Sequence, residues 1–411
     1  METMSSPVSS WEDLGVEHSG TLPADWYTSR ELFELEREHL FRRVWQQVGR
    51  TEQVAEPGDY FTCEVAGEPI VVVRDKAGEL HALSNVCRHR AGPVAMDCGR
   101  RKAFQCPYHG WTYELDGRIR ATQGMDGTEG FDPAAMRLPE FRVDTWGPLV
   151  WVALDEGVPP LEEWLGAITP RMPNYHLDEL EYVGGRRWYI PCNWKLYVDN
   201  YMEGYHIPFI HPGLNQALSP DVYTYKLGTW SNEQYGAEPH PRGPGSRVAS
   251  VLGSLQAFRT LKPPMEDLDE AERNGYFFFW LFPTNTFNFM PDAFLTMTVR
   301  PVDVELTECT FSWWLPEAKD LTDRLLQAAV VNFGHLVNLE DVEICMHAQR
   351  GMRSSTYRQG RYNANQEMCL HHFHQLLSRH MSPYLGDQAR NGTAGANGSA
   401  TATATADGAA R

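Results

Sequence analysis

Cys87-Arg88-His89-Arg90-Ala91-Gly92-Pro93 and Cys106-Pro107-Tyr108-His109-Gly110-Trp111 decide how the first half of this chain is read. Each stretch offers one thiolate and one imidazole close together, and each runs into a glycine; sixteen residues separate His89 from Cys106. Two loops of this kind can give two thiolates to one iron and two imidazoles to its neighbour. Neutral imidazole in place of thiolate raises the reduction potential of such a two-iron, two-sulfide centre. The glycines allow backbone N–H groups to come close to the sulfurs. A structural zinc site takes two cysteines and two histidines as readily. Zinc fingers usually run Cys, Cys, His, His, whereas here each loop carries one of each, and the ordering favours the iron–sulfur centre. The remaining cysteines (Cys63, Cys98, Cys192, Cys309, Cys345 and Cys369) are scattered and read as ordinary thiols.

Around these loops, from about Trp45 to Asp155, the chain reads as short strands and tight turns. Ile70-Val71-Val72-Val73 and Leu80-His81-Ala82-Leu83 flank Asp75-Lys76-Ala77-Gly78. Trp111-Thr112-Tyr113-Glu114 and Arg118-Ile119-Arg120-Ala121 flank Asp116-Gly117, a hairpin signal. Residues 45–155 are therefore expected to form a small all-β domain. In the preceding segment, 1–44, the first 20 residues are polar and expected to be flexible. A helix is expected over 29–46, with Leu32, Leu35, Leu40 and Val44 as its apolar stripe and Ser29 as its N-cap.

After Pro159-Pro160 the pattern becomes mixed. Residues 192–206 suit a helix, 276–316 a long antiparallel meander rich in Phe and Trp, and 320–352 a long helix. The fold class expected is α+β: the all-β domain, then over 156–385 an antiparallel-sheet domain with flanking helices, of helix-grip type. The Gly/Ala/Thr-rich tail, 386–411, is expected to be disordered.

The 411 residues carry a formal net charge of −18, which argues against nucleic acid or an anionic membrane as the main partner. Apolar runs such as Phe277-Phe278-Phe279-Trp280-Leu281-Phe282-Pro283 are too short to cross a bilayer. Met-Glu-Thr-Met-Ser-Ser-Pro at the start lacks a signal-peptide pattern, and a cytoplasmic, reducing location is expected.

A second constellation lies in Asp199-Asn200-Tyr201-Met202-Glu203-Gly204-Tyr205-His206-Ile207-Pro208-Phe209-Ile210-His211. Pro208 suggests that the helix ends near His206, so that His211 comes from the following turn. Two neutral imidazoles and one carboxylate make the facial triad of Fe(II) oxygenases, with positions left open for oxygen. Glu203 precedes His206 by three residues. On a helix the two would share a face, and the carboxylate could accept the imidazole's outward N–H. Trp194, Tyr201 and Tyr205 read as packing residues.

Cys-x-His-Arg-x-Gly followed by Cys-Pro-Tyr-His-Gly-Trp resembles the Rieske domain of ring-hydroxylating and related oxygenases. Membrane cytochrome-complex Rieske proteins carry an extra disulfide-forming cysteine in each loop; this chain has Arg90-Ala91 and Tyr108 in those stretches. The resemblance spans roughly residues 25–380 and implies Cys87, His89, Cys106 and His109 as ligands of a Rieske 2Fe–2S cluster. It also implies a mononuclear Fe(II) held by His206, His211 and a carboxylate. Asn338-Leu339-Glu340-Asp341-Val342-Glu343-Ile344-Cys345 with Gln349 is similar to the family segment whose Asp is that ligand, so Asp341 is chosen, with Glu340 and Glu343 as alternatives. In the family an Asp or Glu at the position of Glu203 also bonds the cluster-ligating His of a neighbouring subunit, which implies a path from cluster to His109, Glu203, His206 and iron. This chain departs from many arene dioxygenases in having Glu there, and from some in having one residue fewer between Asn200 and His206.

The resemblance further implies an oxygenase that uses O2, with NAD(P)H electrons arriving through a separate reductase or ferredoxin. No dinucleotide-binding glycine fingerprint follows a strand here. A head-to-tail homotrimer is implied, with a small β subunit as an open option. Asn85–Arg120 holds seven Lys/Arg (Arg88, Arg90, Arg100, Arg101, Lys102, Arg118, Arg120) against three acids (Asp97, Glu114, Asp116), a net basic face suited to an acidic redox partner. The Asn-Tyr-Met-Glu-Gly-Tyr-His form looks closest to oxygenases acting on choline, glycine betaine or carnitine. The aromatic meander offers either a cation–π cage for a quaternary ammonium or plain core. Aromatic-ring hydroxylation is the alternative substrate class, and an electron-transfer-only Rieske protein the alternative of another kind; the latter gives no use to His206, His211 and Asp341.

Overall fold

A computed structural model of the chain describes residues 8–215, 223–237 and 264–385; the tail expected to be disordered, 386–411, lies outside the described residues. Short runs rich in β-branched and aromatic residues, separated by turns, form ten short strands before residue 154. They are β1 (Gln46–Arg50), β2 (Asp59–Val65), β3 (Glu68–Arg74), β4 (Leu80–Ser84), β5 (Cys98–Arg100), β6 (Phe104–Gln105), β7 (Thr112–Tyr113), β8 (Ile119–Ala121), β9 (Glu140–Trp146) and β10 (Leu149–Ala153). Seven of them form one antiparallel sheet in the order β1-β10-β9-β4-β3-β2-β5, and β6-β7-β8 form a small second sheet beside it. Both expected hairpins are present.

The N-terminal segment differs from expectation in two ways. Residues 8–20 are anchored: Trp11 is buried and donates from Nε1 to the Gly20 carbonyl at 2.8 Å, and Gly20 bridges to Arg361. One large aromatic side chain outweighs a polar composition. The helix expected over 29–46 spans only Arg30–His39, capped as expected by Ser29, whose side chain accepts from Leu32 N–H. Leu40, Phe41, Val44 and Trp45 continue the buried series, but in a 3-10 turn and extended backbone leading into β1. The apolar spacing is thus satisfied without helix.

The other seven-stranded sheet contains β11 (Leu180–Ile190), β12 (Thr224–Leu227), β13 (Ser231–Ala237), β14 (Gly275–Leu281), β15 (Asn285–Met290), β16 (Ala293–Asp303) and β17 (Leu306–Pro316). Its order is β11-β17-β16-β15-β14-β13-β12, with every pair antiparallel. The expected meander is β14 to β17. Because side chains alternate across a strand, its aromatics divide between two faces. Phe277 and Phe279 pair with Phe289 and Phe287 and join Trp146 and Trp151 of the first sheet in one shared core. Tyr276 belongs to the opposite face, with Met290, Leu295 and Trp313.

Over that face lies the long helix Leu321–Met352, started by Asp320, whose side chain accepts from Asp323 N–H. Val330 packs into the cluster of Tyr276 and Trp313. Gly334 permits the close approach: a Cβ there would stand 2.2 Å from Trp313 Cζ2. A mid-helix glycine otherwise costs roughly 1 kcal/mol relative to alanine. Sheet and helix together give the α+β, helix-grip arrangement and leave a cavity between them.

Candidate metal centres and substrate cavity

The Cys87–His89 loop connects β4 to β5, and the Cys106–His109 loop connects β6 to β7. The two are closed alike. Cys87 N–H donates to Gly92 O at 2.8 Å and Ala91 N–H to Cys87 O at 3.0 Å; Cys106 N–H donates to Trp111 O and Gly110 N–H to Cys106 O, both at 2.9 Å. Ala91 (φ 55°) and Gly110 (φ 78°) take left-handed backbone to make these turns. A Cβ on Gly92 would lie 3.0 Å from Cys106 Sγ, so only glycine lets the loops meet without displacement.

Cys87 and Cys106 are buried while His109 is exposed, with the His89 and His109 rings 4.5 Å apart and Trp111 stacked on His89. The thiols therefore lie inward and His109 outward, with His89 half-buried. Burial, and the adjacent Cys87, hold the Cys106 thiol above its ordinary range, although the Tyr108 and His109 N–H groups point at its sulfur. A thiolate pair here needs a cation beside it. His89 Nδ1 is buried with no hydrogen-bond partner, an orphaned nitrogen that a metal would satisfy. The donor set fits an iron–sulfur cluster.

The helix expected over 192–206 runs from Trp194 to Tyr201, capped by Asn193, whose side chain accepts from Lys195 N–H at 3.0 Å. It stops at Tyr201, before Glu203, so Glu203 and His206 do not share a helix face. They meet through a turn: Glu203 Oε2 accepts His206 backbone N–H at 2.9 Å, and Oε1 lies 2.7 Å from His206 Nδ1. His206 and His211 flank a separate short helix, Ile207–Ile210, with Pro208 in its first turn where an N–H is not needed.

His206 and His211 turn the same ring atom toward one carboxylate on the long helix. Asp341 Oδ1 lies 2.8 Å from His211 Nε2 and 3.7 Å from His206 Nε2, and the two nitrogens are 3.2 Å apart. Ligand atoms around one ion at roughly 2.0–2.2 Å stand about 3 Å from one another, so the three fit a single metal ion. Each imidazole is held from behind by a second carboxylate: Glu203 for His206, and Glu340 Oε2 at 2.7 Å from His211 Nδ1. Burial opposes protonation of His211, but Asp341 and Glu340 outweigh it and raise its pKa. The site attracts positive charge, which a metal dication would supply in place of that proton.

The three acids considered on the long helix thus separate. Asp341 faces the imidazoles, Glu340 backs His211, and the Glu343 side chain is 80% exposed. Asn200, which sequence reasoning left without a role, donates from Nδ2 to Asp341 Oδ1 at 2.7 Å. Gln349, two turns beyond Asp341, accepts Asn193 N–H at 2.8 Å and ties the two helices together.

A cavity of about 150 Å³ opens beside the triad. Tyr201, Tyr223, Tyr276, Phe278, Phe311, Trp313 and Phe333 are among its walls. Part of the aromatic meander is therefore cavity wall and part is core. Tyr201, expected only to pack, lines the cavity and donates to Asn288 Oδ1 at 2.6 Å. Tyr205, also expected to pack, is exposed, whereas Trp194 is buried as expected.

The Rieske 2Fe–2S domain family matches residues 44–140 and the ring hydroxylating alpha subunit catalytic domain family matches residues 176–383. Chloroplastic choline monooxygenase of Arabidopsis thaliana is 32% identical over 383 residues, covering 90% of this chain and 84% of that protein. The quaternary ammonium Rieske monooxygenase CntA, solved with its substrate L-carnitine, has a TM-score of 0.74 at 26% identity, over 89% of this chain and 96% of that one. Naphthalene 1,2-dioxygenase with indole bound shares the fold, with a TM-score of 0.71 at 20% identity over 92% of this chain and 96% of that one. Among the described residues no helix is long and apolar enough to cross a membrane. Two domain families thus follow one another along the chain, in the order of its two candidate metal sites. The chain belongs to the ring-hydroxylating alpha subunit family and is a Rieske oxygenase, an oxidoreductase whose cofactors are a Rieske cluster and a mononuclear iron.

Proposed function

We propose that this chain is a terminal oxygenase that hydroxylates a small quaternary ammonium compound, by monooxygenation or N-demethylation. In this reading Cys87, His89, Cys106 and His109 hold the cluster, and His206, His211 and Asp341 hold the mononuclear iron. The observation that carries it is the convergence of the two Nε2 atoms and Asp341 Oδ1 beside a cavity walled by aromatic rings. Once bound, the cluster would supply electrons singly and the iron would activate dioxygen. The protein's own part is positional. Glu203 and Glu340 fix the imidazole tautomers, Asn200 fixes the Asp341 carboxylate, and the apolar wall excludes water. Aromatic faces attract an onium head group, and the named relatives act on choline and carnitine. The likeness to naphthalene dioxygenase supports the fold and not an aromatic substrate.

Alpha subunits of this family work with a separate reductase or ferredoxin. Arg88, Arg90, Arg101 and Lys102 are the candidate docking cations, with Arg90 over the Tyr108 ring next to His109, whereas Arg100, Arg118 and Arg120 already face Asp59, Asp116 and Glu114. Coupled turnover should fall as ionic strength rises; a flat salt profile would sink the docking face. None of the eight cysteines is in a disulfide, and a reducing, cytoplasmic location belongs to this reading.

Glu203 is the proposed bridge to His109 of a neighbouring copy in a head-to-tail trimer. Exposed Tyr205 and Phe209 beside Glu203, and exposed Tyr108 beside His109, offer apolar surface at both ends of that path. In Glu203→Gln both metal centres should remain while the reduced cluster no longer reoxidises at the normal rate with substrate and oxygen. Wild-type cluster reoxidation in that variant would refute the bridge.

A further inference from the structure

The charge pattern of the cavity distinguishes two kinds of quaternary ammonium compound. Among its described lining residues the charged side chains are Glu203 and Asp341, and there is no Lys or Arg. Glu340 adds a third carboxylate directly behind His211. Three carboxylates thus surround the place of one dication, which leaves no surplus positive charge for an anionic group. The remaining polar lining is neutral. Asn200 is committed to Asp341, and the Tyr197 hydroxyl donates to Asn338. Tyr201 and Asn288 form a hydrogen-bonded pair on the wall. The Tyr223 and Tyr276 hydroxyls and the Asn338 amide are further neutral groups, and the rest is apolar, including Ile207, Leu214, Leu295 and Val337.

We infer that the substrate is an organic cation whose other end is uncharged, such as an amino alcohol or an alkylammonium, and that zwitterions carrying a carboxylate are rejected. This rests on the quaternary ammonium reading above. A carboxylate entering the cavity leaves its hydration behind and meets carboxylates, amides and methyl groups in return. A buried charge without a partner is disfavoured far more than a neutral hydroxyl, which needs one hydrogen bond. The Tyr201–Asn288 pair offers such a neutral partner. Selectivity arises here from what the wall withholds from the wrong ligand as well as from what it gives the right one.

Equilibrium binding and coupled turnover by the holoenzyme test this with four probes: choline, glycine betaine, L-carnitine, and the uncharged choline isostere in which a tert-butyl group replaces trimethylammonium. Choline should bind about 100-fold or more tightly than glycine betaine, which differs only in bearing a carboxylate where choline has its alcohol carbon. The isostere should bind roughly tenfold more weakly than choline. Glycine betaine or L-carnitine binding within about threefold of choline would overturn the exclusion of zwitterions and leave the quaternary ammonium reading standing. An isostere as tight as choline, or binding by none of the ammonium compounds, would overturn the quaternary ammonium reading itself and this inference with it.

Discussion

The two proposed metal centres of this chain are built by opposite means. The four proposed cluster donors lie between Cys87 and His109, on two loops that each close through their own backbone hydrogen bonds, and Gly92 brings one loop against the other. The triad draws His206 and His211 from a turn and Asp341 from a helix far along the chain; His211 and its supporting Glu340 are 129 residues apart. Local turn chemistry therefore shapes the first site, and packing of helices against a sheet shapes the second. Changes to helix packing should damage the second site and spare the first.

The largest effect that tests this separation comes from Asp341→Ala. It removes the carboxylate on which both imidazoles converge and leaves every cluster loop contact intact. Substrate hydroxylation should fall below detection and the mononuclear iron should be lost, with the visible absorption of the cluster unchanged. Loss of the cluster spectrum together with the iron would show that the two sites are coupled.

A smaller effect is expected one residue earlier. Glu340→Ala removes the acceptor at His211 Nδ1, and the affinity for the mononuclear iron should drop by about 10–100-fold. Glu340→Gln keeps an acceptor oxygen and should recover part of it. Anaerobic titration with ferrous iron reads this directly. Equal affinities in wild type and both variants would mean that Glu340 merely lies on the surface, where its side chain is 39% exposed.

The difference between the sites also explains what could be read from the sequence. Thiol, imidazole and glycine at fixed offsets describe the cluster loops almost completely, because each loop's geometry is local. The His206/His211 spacing was readable too, since Pro208 restricts the few conformations that can join them. Asp341 was chosen only through family resemblance, because Glu340, Asp341 and Glu343 are equally acidic and their directions depend on which face of the helix is buried. A partial signal was available. Asn338, Cys345 and Gln349 are buried, and their spacing of seven and four continues a stripe that includes position 341. Helix ends were the weaker part of the reading. Apolar residues past His39 stay buried in extended backbone, and Glu203 reaches His206 by a turn; periodicity cannot distinguish these from helix. The division of the meander aromatics between core and cavity depends on what covers each face, which no single strand records.

The smallest effect concerns acid, and it should again fall on the second region. The helix Met368–Met381, in the second region, buries three histidines with lowered pKa values: His371, His372 and His380, each lowered chiefly by burial. His372 is pushed down to about 4, by burial first and then by Arg379 and His371, and its Nδ1 lies 2.6 Å from Asn232 Oδ1. Unfolded, the same imidazole titrates near 6.5. Between those values the unfolded chain binds the extra proton, so the stability from a neutral His372 is complete above about pH 6.5 and is lost as pH falls toward 4. The contribution is on the order of 1–3 kcal/mol. The same helix reaches the triad through His374, whose Nε2 lies 3.0 Å from Asp199, the neighbour of Asn200. Thermal unfolding followed from pH 7 to 5 should show a falling midpoint, and His372→Gln, which keeps a donor for Asn232 but cannot titrate, should flatten that slope. Identical slopes in the two proteins would mean that the acid sensitivity lies elsewhere. Cluster absorption recorded during the same unfolding should persist to lower pH than the mononuclear iron, because the cluster loops depend on backbone turns and not on this histidine-bearing helix.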